Sequence, residues 1–304
     1  MASRKISITK VFIMEGPEFN MRYQPILSKL LAVLENVNRS SISFITTVTT
    51  NEGDWYGTKT YFFNTLSRDQ EIARMEIFQE QEKLHESLML LLTNAPEKIQ
   101  HQYASASSSF QDQINLRTSI LGAENCPDKR KERLQASLTK IREVIEFLQY
   151  ASNAITIIIP DTNSLLSSTN PRDYKDIVQT KDFTFHLLPT VLSELDSLKV
   201  NHKNPDVREK AKDAIRRIKG WRHQGSLSAG ITYHGTITIR ASHKEPDIAN
   251  SLAWLDPEVK DDRIIASVLE IQVSNPAALV VLATSDINLQ NKADAAMIEV
   301  AEIS

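Results

Sequence analysis

The sequence predicts an α/β protein whose second half is a mostly parallel sheet covered by helices, preceded by a mainly α-helical first half. Three observations predict it. Ile155, Thr156, Ile157, Ile158 and Ile159 are five consecutive β-branched residues, ending on Pro160-Asp161-Thr162-Asn163; such a run reads as a strand buried on both faces, as in a parallel sheet. From that point strand-like and helix-like patterns alternate, which is the pattern of βαβ units. Before residue 152 apolar residues recur mostly at helical spacing.

The 304 residues suffice for two domains, and the texture change divides them at 1–152 and 153–304. Charged, hydrophobic and aromatic fractions of 24%, 41% and 7% are those of an ordinary globular protein. With a net charge of -3, a polyanion-binding surface has to be local. Cys126 is the single cysteine, so an intrachain disulfide and a zinc site of the Cys-pair type are excluded. No signal-peptide core is present in residues 1–10, and no apolar run approaches the roughly 18 residues of a membrane span. The expectation is a soluble, cytoplasmic protein with no membrane partner.

In the first half, residues 5–14 look strand-like, and Ile26, Leu30, Leu31 and Leu34 have helical spacing. Residues 41–63 are rich in Thr, Ser, Ile and aromatics around Asn51-Glu52-Gly53-Asp54, which predicts a hairpin turning there. A long helix is expected over 67–93, with Ile72, Met75, Phe78, Leu84, Leu88 and Leu91 on its apolar side. A further segment spans 96–121, and Pro127-Asp128 opens a last helix striped by Leu134, Leu138, Ile141, Ile145 and Leu148. Glu80, Glu82, His85 and Glu86 share a helix but lack the two-histidine spacing of a helical metal site, so they read as a solvated face. The default for this half is an antiparallel bundle packed on the second half or on another subunit, a regulatory or oligomerising unit.

In the second half, 183–188 is a second apolar run, followed by Pro189 and a short helix over 190–198. An amphipathic helix spans 205–221, a hairpin turns at His234-Gly235 within 230–241, a helix covers 261–273, and 278–283 is a last buried strand. Acidic residues punctuate this pattern. Asp161 follows the first strand and Asp286 the last; Glu194 lies in the helix after the second run; Asp261 and Asp262 open a helix. In an open α/β sheet, ligands bind beyond the carboxyl ends of the strands. Crowded carboxylates repel unless cations balance them, and hard divalent ions with oxygen ligands do so. A lone Asp161 would read as a helix cap; its company makes it a site candidate. Asp196 and Asp294 read as helix surface.

At these residues the sequence resembles the PIN-domain nucleases, over 155–293. The motifs occur in order: Ile-Ile-Ile-Pro-Asp161-Thr-Asn, Leu-Pro-Thr-Val-Leu-Ser-Glu194-Leu-Asp-Ser-Leu-Lys, Asp261-Asp262-Arg-Ile-Ile-Ala, and Val-Val-Leu-Ala-Thr-Ser-Asp286-Ile-Asn-Leu-Gln-Asn-Lys-Ala. The likeness is strongest to the branch with a basic helix after the Glu motif and a hairpin before the third motif, which includes PhoH-linked and eukaryotic RNA-decay PIN domains. It implies a three-layer α/β/α fold and a Mg²⁺- or Mn²⁺-dependent endoribonuclease in which metal-activated water cuts RNA, leaving 5′-phosphate and 3′-hydroxyl ends. Asp161, Glu194, Asp261 and Asp286 match the catalytic metal-binding positions, with Asp262 an equal match to the third. Asn163, Thr284, Ser285 and Asn288 match groups that orient carboxylates or water.

Residues 203–222 carry eight cations against three anions, a local +5. Such a patch binds phosphates without reading sequence, which makes Lys203, Arg208, Lys212, Arg216, Arg217 and Arg222 candidate contacts to single-stranded RNA. Trp221 is a candidate stacking surface for a base, or else the close of the helix's apolar stripe. His223 and His234 read as loop polar groups. The other readings are a catalytically inactive PIN-like RNA-binding or assembly module, and phosphotransfer at Asp161 of the haloacid-dehalogenase kind. The latter wants an Asp where Asn163 stands. A helical unit joined to a nuclease would suit a toxin or antiviral defence effector.

Overall fold

The computed structural model describes residues 24–55, 58–93, 95–116, 126–150, 155–178 and 180–303. The strand-like segment 5–14 and the end of the 96–121 segment lie outside them. Among the described residues the first half is built on four helices, α1 (Ile26–Thr47), α2 (Arg68–Leu91), α3 (Glu97–Ile114) and α4 (Pro127–Tyr150), with a two-stranded hairpin, β1 (Thr50–Trp55) and β2 (Thr58–Phe63), between the first two. Leu27, Leu30, Leu34, Leu84, Leu88, Phe110, Leu134 and Ile145 belong to one apolar core drawn from all four helices. Ser67 starts α2 with a reciprocal capping box to Gln70, which satisfies two backbone N–H groups that the helix itself cannot.

Two expectations for this half need correction. The hairpin does not turn at residues 51–54: these lie within β1, whose last residue, Trp55, pairs with Thr58, and residues 41–47 belong to α1. The local signals of Asn, Gly and Asp were outweighed by cross-strand pairing. Ile72 and Met75 are exposed, while Ile77 and Gln81 join Leu84, Leu88 and Leu91 on the buried side of α2. The apolar stripe therefore begins a turn later than expected, because the first turns of α2 run past the core.

The Ser/Ala-rich stretch of α3 has a packing role. Small side chains let the neighbouring helices approach, and their hydroxyls bond across: Gln81 Nε2 donates to Ser107 Oγ at 3.3 Å and Ser137 Oγ to Ser109 Oγ at 2.9 Å. Buried Arg130 closes the far end of α3, its Nη1 donating to the carbonyls of Gln113 (3.0 Å) and Asp112 (3.2 Å), with the guanidinium 4.6 Å from the Phe63 ring centroid. Burial, and then the charge of Arg133, lower its pKa to about 10 against the opposing pull of Asp112. Arg130→Ala is expected to cost about 2 kcal/mol, the scale of hydrogen bonds to a charged group. A urea midpoint unchanged from wild type would show that the cap contributes nothing.

The second half is a three-layer α/β/α structure. Its six-stranded sheet comprises β3 (Thr156–Pro160), β4 (Phe183–Leu187), β5 (Ile231–Tyr233), β6 (Ile237–Ala241), β7 (Leu279–Ala283) and β8 (Glu299–Ala301), in the order β5-β6-β4-β3-β7-β8. All pairs are parallel except β5 with β6, which turn at His234 (φ 48°) and Gly235 (φ 82°). Helices α5 (Thr162–Ser167), α6 (Lys175–Val178), α7 (Pro189–Asn201), α8 (Pro205–Arg222), α9 (Lys260–Ser274) and α10 (Ile287–Ala295) complete it. Ile157, Ile158 and Ile159 are all buried, as a central strand with both faces covered requires.

Two helices show which face is which. On one face, the Phe185 ring meets Trp221 of α8 edge-on at 6.3 Å. On the other, His186 shares a groove with Ser267 and Ile271 of α9. The chain goes from β3 to β4 and β6 on one side, then returns across to β7 and β8. The order thus reverses between β3 and β7, the topological switch point at which α/β sheets hold ligands.

The helical half rests on the α9 side. Ser87 Oγ of α2 reaches Met297 Sδ at 3.5 Å, Lys29 pairs with Glu299 at 2.9 Å and donates to the Met297 carbonyl at 3.2 Å, and Val273, Ala277 and Met297 pack against the helical core.

Candidate active site

Strand β3 delivers Asp161 to the switch point. Its backbone N–H donates to the Ala283 carbonyl at 2.9 Å, extending the pairing with β7 by one residue. One carboxylate oxygen caps α5 by accepting from Ser164 N at 2.7 Å, and the other accepts from Thr284 Oγ1 at 2.5 Å. Both ends of the central strand pair are thereby tied at this one side chain. Asp161 is only 4% exposed, and burial pushes its carboxyl pKa up. The hydrogen bonds from Thr284 and Ser164 act against that, and the charge of Asp286 adds to it. The capping reading of Asp161 and the site reading are both realised in one residue.

Asp286 begins α10 in the same way after β7, its Oδ1 accepting from the backbone N–H of Asn288 (2.8 Å) and Leu289 (3.2 Å). Thr284, fully buried, links the Asp161 carboxylate to the backbone of Asp286: its hydroxyl donates to Asp161 and accepts from Asp286 N at 3.0 Å. Glu194 comes from α7, held by Thr162 Oγ1 at 2.7 Å and Lys260 Nζ at 3.4 Å.

The two acids opening α9 part company. Asp261 lines a cleft of about 250 Å³ together with Asp161, Asn163, Glu194 and Asp286, and with His202 and Val207 at the junction of α7 and α8. Asp262 is turned inward, 5% exposed, accepting from Asp256 N at 2.9 Å and pairing with Lys292 Nζ of α10 at 2.7 Å. The same ammonium stands 3.6 Å from Asp261. Burial alone would lower the Lys292 pKa, but bonding and charge from Asp262 and Asp261 outweigh it and raise the pKa.

Four carboxylates from four separate segments thus border one cleft, whose lining among the described residues falls between 161 and 289. Among the described residues, no group of three or more His, Cys, Asp or Glu side chains is gathered closely enough to close on an ion as they stand. The donor set nevertheless fits a hard divalent cation: it is rich in carboxylate oxygen, and the described residues supply no ion pair to Asp161 or Asp286.

Of the other expected residues, Asn163 lines the cleft from an exposed position, and Ser285 and Asn288 are exposed beside Asp286. Asp196 and Asp294 are on helix surfaces. On α8 the cations differ in their engagements. Arg208 Nη1 donates to the His202 (2.6 Å) and Lys203 (3.2 Å) carbonyls, closing the end of α7, while Lys212 pairs with Glu209 (2.6 Å) and Arg216 with Asp213 (2.7 Å). Lys203, Arg217 and Arg222 are exposed with no ion pair among the described residues. The helix runs outward from the cleft, so Arg222, fifteen residues beyond Val207, stands roughly 22 Å further along.

Of the two readings of Trp221, the apolar stripe holds and the stacking surface does not: the ring is 3% exposed, edge-on to Phe185 and to Tyr233. It closes the apolar stripe of α8 and presents no face to a base. Sequence reasoning did not single out Thr162, Ser164, Lys260 or Lys292 as site residues. The two hydroxyl residues sit beside Asp161 in its motif, where capping chemistry gives a signal. Nothing local marks the lysines.

The family model described as PIN domain matches residues 158–304. The C-terminal half of the chain belongs to the PIN-domain family, and its fold is of the nuclease type. The match assigns no branch within the family. No curated protein matches the chain. Among the described residues no helix is long and apolar enough to cross a membrane.

Proposed function

We propose that this protein is a Mg²⁺- or Mn²⁺-dependent endoribonuclease cutting single-stranded RNA at the cleft between β3 and β7. The observation that carries the reading is that Asp161, Glu194, Asp261 and Asp286 all line one cleft at the topological switch point. These four would hold the metal. When bound, a divalent ion supplies Lewis-acid stabilisation of phosphate charge and makes water more acidic. The chain's own residues do the positioning. Thr284 and Ser164 fix the Asp161 carboxylate, Thr162 and Lys260 fix Glu194, and Lys292 steadies the first turn of α9. The cations of α8 hold phosphates on the strand leading from the cleft. Residues 1–152 serve as a regulatory or oligomerising unit, and those of them that are described lie outside the lining of the cleft.

One observation favours a second reading, an inactive RNA-binding or assembly module: the carboxylates border the cleft without gathering. A labelled single-stranded RNA, incubated with the full chain in Mn²⁺, Mg²⁺ or EDTA, separates the two. Cutting with either ion, lost in EDTA and weakened by salt, is the expected result. RNA retained in a shift assay but uncut under every condition would establish the inactive module.

A further inference from the structure

Helix α10 starts at the cleft with Asp286 and runs nine residues to the place where the two halves touch. Of the nine, only Leu289 and Ala293 are buried, and Ile287 is 72% exposed. A helix this short is marginal by itself, so its outside contacts decide where it sits. Lys292 ties its middle to α9, and Gln290 ties it to Thr284 and Glu302. Its far end closes in a Schellman motif: Ile298 N donates to the Ala293 carbonyl at 2.8 Å and Met297 N to that of Asp294 at 3.0 Å. Met297 has φ 58° there, the left-handed conformation that glycine usually fills and that penalises a Cβ. Its side chain and carbonyl both meet the helical half. Met297 packs against the helical core, with Sδ 3.5 Å from Ser87 Oγ of α2, and its carbonyl accepts from Lys29 Nζ of α1 at 3.2 Å. Lys29 also pairs with Glu299 of β8 at 2.9 Å, and Leu90 of α2 packs in return against the core of the second half. A glycine would suit the turn and make none of the side-chain contacts.

We infer that Met297 is a positioning residue, through which α1 and α2 hold α10 where it sets Asp286 against Asp161, Glu194 and Asp261. The helix is about 14 Å long and hydrogen-bonded along its axis. A displacement at Met297 is therefore passed to Asp286 and to Lys292, which stands beside Asp261. The four carboxylates are not gathered closely enough to close on an ion as they stand, so affinity for one depends on where Asp286 is held. No described residue of the helical half lines the cleft; this contact gives that half a way to act on it. The inference rests on the nuclease reading of the cleft and supplies the regulation of that same site.

The test uses the full chain and two readouts, Mn²⁺ affinity by titration calorimetry and hydrogen exchange of the α10 amides. Met297→Gly keeps the left-handed turn and removes only the side-chain contact. It is expected to weaken Mn²⁺ binding at the cleft, the part of the signal lost in Asp161→Asn, roughly tenfold, the low end for outer groups that orient metal ligands. It should also speed exchange of the amides of residues 291–295 while those of β3 stay as in wild type. The sign is diagnostic, because by local chemistry alone glycine strengthens the cap and slows that exchange. Met297→Leu, which keeps the apolar bulk, should restore both readouts. Lys29→Met, a change in the other half of the chain, should weaken Mn²⁺ binding as well. Unchanged Mn²⁺ affinity in Met297→Gly would overturn the inference, as would slower exchange in α10. So would a loss of protection spread evenly over the sheet, which would make the contact merely structural. If the wild type binds Mn²⁺ and cuts RNA while the variants match it, only the positioning fails. If the wild type neither binds Mn²⁺ nor cuts RNA, the nuclease reading fails and the positioning with it.

Discussion

Asp161→Asn is expected to abolish RNA cutting while leaving the protein folded and, without metal, more stable than wild type. The loss of activity should be at least about 10²-fold, the scale of removing one preorganised electrostatic group from a reacting centre. Stability moves the other way because Asp161 is buried and its folded pKa is raised. Between the ordinary carboxylate value and that raised value, the folded state holds a proton that the unfolded state has released. The stabilising contribution is full below the unfolded pKa and is lost as pH rises through the folded one. At neutral pH the wild type therefore bears the cost of a buried titratable carboxyl that asparagine removes, while the amide still caps α5 by accepting from Ser164 N. Thermal melting in EDTA at pH 4 and pH 7 checks this: the advantage of the variant should appear at pH 7 and shrink at pH 4. A variant that cuts as wild type does would place the chemistry elsewhere.

Lys292→Met should be the most destabilising single change near the site. It would leave the Asp262 carboxylate, whose side chain is 7% exposed, with only the Asp256 N–H for company. Breaking a buried pair by removing one partner costs about 3–5 kcal/mol, and the 29% exposure of Lys292 places this case near 3 kcal/mol. Adding Asp262→Asn should recover most of the loss, because a neutral group in that position no longer needs a cation. Urea unfolding of the two single variants and the double variant measures the coupling. Cutting should fall in Lys292→Met as well, since the lysine that ties α10 to α9 also stands beside Asp261. A single variant within about 0.5 kcal/mol of wild type, the ordinary range of surface changes, would show that the pair is not structural.

The sequence by itself determined the alternation from residue 155 onward, because a run such as Ile157-Ile158-Ile159 has no stable place except a covered parallel strand. It also determined which chain segments end in carboxylates, since Asp161 and Asp286 cap the helices after their strands through purely local bonds. Helix α4 was likewise plain from its Pro-Asp start and its unbroken stripe of Leu and Ile. Other features depend on partners distant in the chain. Whether Asp261 or Asp262 faces the cleft was decided by Lys292 and by the backbone of Asp256, neither of which can be paired with them from spacing alone. Trp221 and Trp254 carry the same side chain, and only packing against Phe185 and Tyr233 buried the first while the anchors of Leu252 and Leu255 exposed the second. The turn of the first hairpin and the start of the α2 stripe moved for the same reason: cross-strand pairing and the reach of the core outweighed local propensity. Periodicity and capping act within a few residues and can be read along the chain, whereas the partners of a buried charge or ring are chosen by the fold, across distances that the order of residues does not encode locally.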